Sequence, residues 1–304
     1  MSKAKTPAAE SNSVNQSVSK KYVRQSQFRL TMHQLSKNVG AMIGLVIIIT
    51  IALVAIFADY LIDYDKVVGI HMTEARLGPC WEHLFGTDDL GRDIFARVLY
   101  GSRYSLSVGL AAVVIGLTIG VTLGAIAGFY GGLAEDIIMR FNDILSAIPA
   151  ILMGVVIVSA LGTSTFNLML AIGVTSVPQF VRITRASVMT VRNQEYIEAL
   201  RASGLSEARI IAAHVLPNSI SPIIVQATLR IASAIVAAST LSYLGMGIPA
   251  PAPEWGAMLS MGRDYVRTLP HMTIFPGLMI LVVVLSFNLL GDGLRDAMDP
   301  KLKK

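Results

Sequence analysis

Long runs without a charged residue, at 38–58, 104–134, 144–181, 231–253 and 268–291, alternate along this chain with polar segments. About 20 predominantly apolar residues cross the hydrocarbon core of a bilayer, so each run predicts a spanning helix. The run 144–181 is too long for one span, and Leu161-Gly162-Thr163-Ser164-Thr165 divides it in two. Six helices are therefore expected, at 40–59, 104–129, 137–161, 165–184, 219–246 and 272–292. The fold class is an all-α membrane protein, with an anchor helix followed by a five-helix core.

The polar segments have patterns of their own. The loop between the first two spans ends in Gly86-Thr87-Asp88-Asp89-Leu90-Gly91-Arg92-Asp93, after which Ile94, Phe95, Val98 and Leu99 recur at helical spacing. That spacing predicts an amphipathic helix on the outer membrane surface before the second span; an ordinary solvated loop is the alternative. In the second span Gly116, Gly120, Gly124 and Gly128 form a stripe of small residues. Such a stripe lets helices approach closely, within the bundle in preference to a subunit interface. Pro149 and Pro178 are expected to kink the third and fourth spans.

Composition agrees with membrane residence. Of 304 residues, 53% are hydrophobic and 15% charged, with mean hydropathy +0.61, against about 25% charged in soluble domains. Lys and Arg decide the orientation. With the N-terminus in the cytoplasm, most of the 25 Lys and Arg fall in cytoplasmic segments: the N-terminal tail, Arg140, the 182–217 segment and the C-terminal end. Both termini are then cytoplasmic. The apolar pattern begins near residue 40, behind a Ser/Asn/Gln/Lys-rich tail, so no cleavable signal is expected and the first helix should remain an anchor. Residues 1–25 are expected to be disordered. The chain divides into a 1–39 tail, the 40–59 anchor, a 60–103 external loop and a 104–292 core containing a 183–217 cytoplasmic loop. A 293–304 tail ends it. The net charge of +5 reflects this topology and calls for no nucleic-acid partner.

Several chemistries are missing. There is no Gly-x-x-x-x-Gly-Lys-Ser/Thr loop for nucleotide phosphates, and no Gly-x-Ser-x-Gly or His-Glu-x-x-His. The five histidines are scattered, so no zinc site is expected, and the lone Cys80 cannot form an internal disulfide. The chain is expected to bind no cofactor and to be non-catalytic. An engine on another chain, or ion coupling, must drive any transport. Ion-coupled carriers place acids inside the bilayer, whereas the spans here are nearly free of them. Arg230 is the one basic group near a span interior. It is a candidate to line a translocation path and meet a substrate carboxylate, or else a snorkelling, bundle-satisfied arginine. Asn288 is a second pathway candidate.

The 182–217 segment is polar. Tyr196, Ala199, Leu200 and Ser203 fall at i, i+3, i+4 and i+7, predicting a short helix with one apolar or small face. Gly204 can end it with a left-handed cap, Ser206 can cap a second helix, and Pro217 precedes re-entry into the membrane. Such a hairpin either docks a partner or lies on the surface. Glu198, Ala199, Gly204, Leu216 and Pro217 resemble the ABC importer pattern Glu-Ala-Ala, three residues, Gly, nine residues, Ile-x-Leu-Pro. Leu200 stands where the family has alanine and His214 where it has isoleucine. The 86–93 turn, Leu244-Gly245-Met246-Gly247, the 253–259 segment and the 287–300 segment also resemble signatures of the peptide/nickel-type C permeases. The resemblance covers the chain from about residue 30 onward. It implies the type I importer core, a homologous B-type permease, two cytoplasmic ATPases that use ATP and Mg, and an extracytoplasmic binding protein. The residues Glu198, Ala199, Leu200, Gly204, Leu216 and Pro217 would then couple to an ATPase. The implied cargo is a dipeptide or short peptide, with glutathione or nickel as alternatives. An ion-coupled carrier is the main rival, ahead of a membrane-embedded enzyme and a non-transporting scaffold.

Overall fold

A computed structural model describes residues 27–298. The disorder expected over 1–25 falls outside these residues. Among the described residues the chain is helical, with no strand. We number α1 Gln27–Leu35, α2 Val39–Ile56, α3 Ala58–Leu61, α4 Tyr64–Val68, α5 Ile94–Tyr130, α6 Gly132–Ala147, α7 Ala150–Leu161, α8 Thr165–Arg192 and α9 Glu195–Ala202. Then come α10 Glu207–Tyr243, α11 Trp255–Gly262 and α12 His271–Met298. Five of these, α2, α5, α8, α10 and α12, are long and apolar enough to span a membrane. The α6–α7 pair is a sixth span if its two arms count as one.

Several elements differ from expectation for identifiable reasons. The third span is not one helix, because α6 and α7 meet at 89°. Pro149 disfavours helical backbone in the residue before it, and Ile148 is extended at φ −88°, ψ 127°. The separate surface helix expected before the second span does not exist. Residues 94–103 are the first turns of α5, which runs unbroken for 37 residues. Its charges are met by tertiary partners. Arg97 donates to the Val67 carbonyl at 2.6 Å, and Arg103 to Asp59 at 2.6 Å. The Tyr100 hydroxyl also donates to Asp59, at 2.7 Å. These two bonds hold the Asp59 carboxyl below the usual carboxylate range, Tyr100 first and Arg103 second.

Likewise α8 continues past 184 to Arg192. Arg182 pairs with Asp143 at 3.1 Å, and the Arg185 Nε donates to Glu135 at 2.7 Å. The helix that carries the fifth span starts at Glu207, twelve residues before 219. Pro217 therefore lies inside this helix and not at its first turn. A π-helical turn at Ile211–Val215 precedes it, and the widened turn accommodates a ring that has no N–H and crowds the carbonyl four residues back.

The glycine stripe of α5 faces α8. A Cβ added at Gly116 would lie 2.7 Å from the Ser176 Cβ; at Gly124, 2.6 Å from the Val181 carbonyl; at Gly128, 2.8 Å from the Arg185 carbonyl. One at Gly120 would collide with the Phe180 Cβ. The stripe is thus spent on packing within the bundle, and the two backbones are in van der Waals contact along it. Gly120→Leu is expected to force the helices apart at a cost of about 1–3 kcal/mol or more. The check is the melting temperature of the detergent-purified chain, with Gly78→Leu as control, since no atom lies within 4 Å of a Cβ at Gly78.

Candidate coupling loop and translocation pathway

At one end of the bundle, α9 and the start of α10 form an angular hairpin on a buried apolar platform. Ile197, Ile210 and Val215 are fully buried with Ala125, Phe129, Val188 and Val191. Leu200, Leu205, Ile211 and Leu216 pack against the same cluster. The junction is a Schellman motif. Gly204 adopts φ +78°, its N–H donates to the Arg201 carbonyl at 3.0 Å, and the Leu205 N–H donates to the Leu200 carbonyl at 3.3 Å. Leu200 and Leu205, the residues flanking this closure, both pack on the platform.

Two arginines brace the end of α5, one from the end of α8 and one from the hairpin. Arg192 donates to the carbonyls of Gly128 and Phe129 at 3.2 and 2.9 Å, satisfying the helix terminus. The Arg201 guanidinium stacks 4.9 Å over the Phe129 ring.

The expected site residues separate into two groups on this platform. Glu198, Ala199, Gly204 and Pro217 are exposed. Leu200 and Leu216 turn inward and anchor the hairpin. Of the apolar or small face of Tyr196, Ala199, Leu200 and Ser203, Leu200 packs inward and the other three are exposed, while Ile197, outside that face, supplies the fully buried contact. Ser206 stands at the N-cap of α10 with extended backbone but makes no side-chain cap bond. Glu198 makes no ion pair among the described residues, and the surface it shares with Ala199, Ser203 and Gly204 is uncovered.

Farther into the bundle, a polar seam runs between α8 and α10. Gln226, Arg230, Ser233 and Thr240 recur on one face of α10, opposite Thr175 and Gln179 of α8. The Arg230 Nε donates to the Ser176 hydroxyl at 3.2 Å and its Nη2 to the Thr175 carbonyl at 3.3 Å. Gln226 donates to the Gln179 side-chain carbonyl at 3.3 Å. Arg230, Thr175, Ser233 and Thr240 line a cavity of about 220 Å³ walled by Ala150, Ile151 and Gly154 of α7. Arg230 is its one charged residue. Asn288 is half-buried on α12 and does not line this cavity, so the two pathway candidates are not brought together there. Sequence reading passed over Thr175, Gln179 and Gln226; their four-residue spacing from one another and from Arg230 was the available signal.

At the opposite end, the 86–93 turn and the 253–259 segment form a scaffold. Buried Asp88 accepts from the backbone of Leu90 and Arg92 at 2.9 and 3.0 Å, and from the Arg92 side chain at 2.7 Å. Asp93 caps α5 through the Ala96 N–H at 2.8 Å. Glu254 caps α11 through Gly256 and Ala257 at 3.0 and 2.9 Å. The fully buried Trp255 ties this segment to α5 through the Val98 carbonyl at 2.9 Å. Among the described residues, no group of three or more His, Cys, Asp and Glu side chains could hold a metal ion.

Five apolar helices and a bent pair, with a polar seam between two of them and an exposed helical hairpin on a buried apolar platform, describe a membrane permease. Comparison with known proteins gives the family. Residues 120–304 match the model of the binding-protein-dependent transport system inner membrane component. Residues 26–79 match the N-terminal TM domain of oligopeptide transport permease C. The chain is 47% identical over 282 residues to the dipeptide transport system permease protein DppC of Alkalihalophilus pseudofirmus, covering 93% of this chain and 92% of that one. It is 44% identical to the glutathione transport system permease protein GsiD of Pectobacterium atrosepticum, over 88% and 89% of the two chains. Its fold is shared with an inward-facing crystal structure of the MetNI methionine ABC transporter, at TM-score 0.54 and 17% identity, covering 68% of this chain and 98% of that one. The chain belongs to the inner-membrane permease family of binding-protein-dependent ABC importers, as a C-type, multi-pass member of the peptide branch.

Proposed function

We propose that this chain forms half of the translocation pathway of an ATP-driven importer of dipeptides or short peptides. Its companions are a homologous B-type permease, two cytoplasmic ATPases and an extracytoplasmic binding protein. The observation that carries the coupling role is the hairpin at Gly204. It holds Glu198, Ala199, Ser203 and Gly204 uncovered on a platform buried at Ile197 and Ile210. A protruding, rigidly anchored element of this kind passes motion between a soluble partner and the bundle, as a rigid-body switch requires. Leu200, Leu216 and Pro217 set its angle. Both termini and the hairpin lie in the cytoplasm on this reading. ATP and Mg are used by the partner ATPases, and this chain binds no cofactor and performs no catalysis.

Peptide cargo is favoured by the kinship to dipeptide permeases. Arg230 in its otherwise uncharged cavity suits a substrate carboxylate. The kinship to glutathione permeases supports a second reading, glutathione as cargo.

The test is ATP-dependent uptake of a labelled dipeptide in vesicles holding this chain, its co-purifying partners and the binding protein. Nickel and glutathione serve as competitors, and a protonophore as the control for ion coupling. Dipeptide uptake that none of the three additions reduces is expected. ATP-dependent entry of glutathione without dipeptide uptake would replace the cargo and keep the permease. Uptake abolished by the protonophore with ATP supplied would overturn ATP coupling.

A further inference from the structure

We infer that the Gln179–Gln226 side-chain pair is a gate in the seam that opens by exchanging its own amide–amide hydrogen bond for bonds to the peptide group of the cargo. The inference rests on the peptide reading above.

Three observations converge on the pair. The first is position. Arg230 and Thr175 line the 220 Å³ cavity. One turn along α10, Gln226 lines a second cavity of about 430 Å³, with Ile183 of α8 and Met298 of α12. On α8, Gln179 falls between Thr175, which lines the first cavity, and Ile183, which lines the second; on α10, Gln226 itself lines the second and stands one turn from Arg230. The pair's hydrogen bond, at 3.3 Å, bridges α8 and α10 on an exposed face of the seam, at the border between the two cavities.

The second is chemistry. A carboxamide carries the donor and acceptor of a peptide group. The Gln179 oxygen that now accepts from Gln226 can accept a peptide N–H, and the Gln226 nitrogen can donate to a peptide carbonyl. The contact is the same whatever the peptide's side chains. The spacing also fits. One helical turn is about 5.4 Å, and an extended peptide advances about 3.5 Å per residue. A cargo with its carboxylate at Arg230 therefore brings a peptide group within reach of the pair.

The third is local deformability. Pro178 immediately precedes Gln179, and Pro222 lies one turn before Gln226. Each proline removes a backbone hydrogen bond from its helix and so weakens the ladder beside the gate.

The test uses the intact importer, purified through this chain with its partner subunits and binding protein and reconstituted in vesicles. The competing probes are labelled Ala-Ala and alanyl-lactate, the ester analogue that lacks the peptide N–H. Because the binding protein is the same throughout, a change in the uptake ratio between variants reports on the permease. Gln179→Leu is expected to lower Ala-Ala uptake roughly 10-fold and to leave alanyl-lactate nearly unchanged, so that the ratio collapses. Gln179→Glu combined with Gln226→Lys closes the seam with an ion pair. It is expected to reduce uptake of both probes while ATP hydrolysis continues. An unchanged ratio in Gln179→Leu, or wild-type uptake in the Glu/Lys variant, overturns the gate and leaves the peptide reading intact. Should the leucine variant not assemble, the Glu/Lys variant decides alone. Failure of the wild-type importer to take up Ala-Ala overturns the peptide reading itself, and the gate with it.

Discussion

Gly204→Val is expected to leave the chain inserted in the membrane and to break the link between ATP hydrolysis and uptake. The reason lies in the backbone, since no atom lies within 4 Å of a Cβ at this position. Gly204 has φ +78°, where a branched side chain costs about 1–3 kcal/mol. The hairpin can escape that strain only by abandoning the Schellman closure, in which Gly204 and Leu205 donate to Arg201 and Leu200. Opening it changes the angle between α9 and α10 and so displaces Glu198, Ala199 and Ser203 from any groove shaped for them. Insertion should be untouched because the Schellman bonds run between residues 200 and 205, outside the spanning helices. Each 1.4 kcal/mol lost from docking costs about tenfold in affinity, so uptake should fall by about tenfold or more. Gly204→Ala, unbranched, should be milder. Membrane level, ATP hydrolysis and uptake measured together make the check. Normal uptake by the valine variant would remove the hairpin from the coupling role. An equal loss of membrane level would make the glycine a folding residue.

Much of the architecture was legible because a charge-free run of about 20 residues has few physical alternatives. The left-handed cap at Gly204 was legible for a similar reason: a glycine after a short polar helix meets a specific backbone need. Apart from the break at Pro149, the departures share one cause, which is that tertiary partners satisfy what the local pattern left unsatisfied. Arg97 and Arg103 read as the end of a loop, yet Val67 and Asp59 receive them and α5 runs through. Arg182 and Arg185 read as the start of a loop, yet Asp143 and Glu135 of α6 meet them. The anchor of α9 was not legible: Ile197 lies outside the face of Tyr196, Ala199, Leu200 and Ser203, and only Phe129 and Val188 of the neighbouring helices supply the platform that buries it. The same limit hid the seam. Thr175, Gln179 and Gln226 are unremarkable polar residues in sequence, and they acquire meaning only when α8 and α10 are brought face to face.

The signatures at 86–93 and 253–259 show how a motif can report on construction. Asp88, Arg92, Asp93, Glu254 and Trp255 are engaged in caps, a buried ion pair and a tie to α5. Their chemistry is consumed within the fold. Arg230 contrasts with them. Two bonds, to Ser176 and to the Thr175 carbonyl, account for two of the five N–H donors of a guanidinium, and the group borders open volume.

That contrast sets the second large expected effect. Arg230→Ala should lower uptake of dipeptides with a free carboxylate far more than uptake of their C-terminal amides. A hydrogen bond to a charged group is worth about 1.5–3 kcal/mol, or roughly 10- to 100-fold, and the amide has no charge to lose. Arg230→Lys should recover part of the difference, since it restores the charge but not the planar fork. The competing role for this side chain is a strut, because its bonds to Ser176 and Thr175 join α10 to α8. A strut lost would slow both probes alike and lower the melting temperature of the purified chain. The free-acid to amide ratio therefore separates the two roles. Equal losses for acid and amide would assign Arg230 to packing, leaving an uncharged seam that conducts peptides without holding their carboxylates.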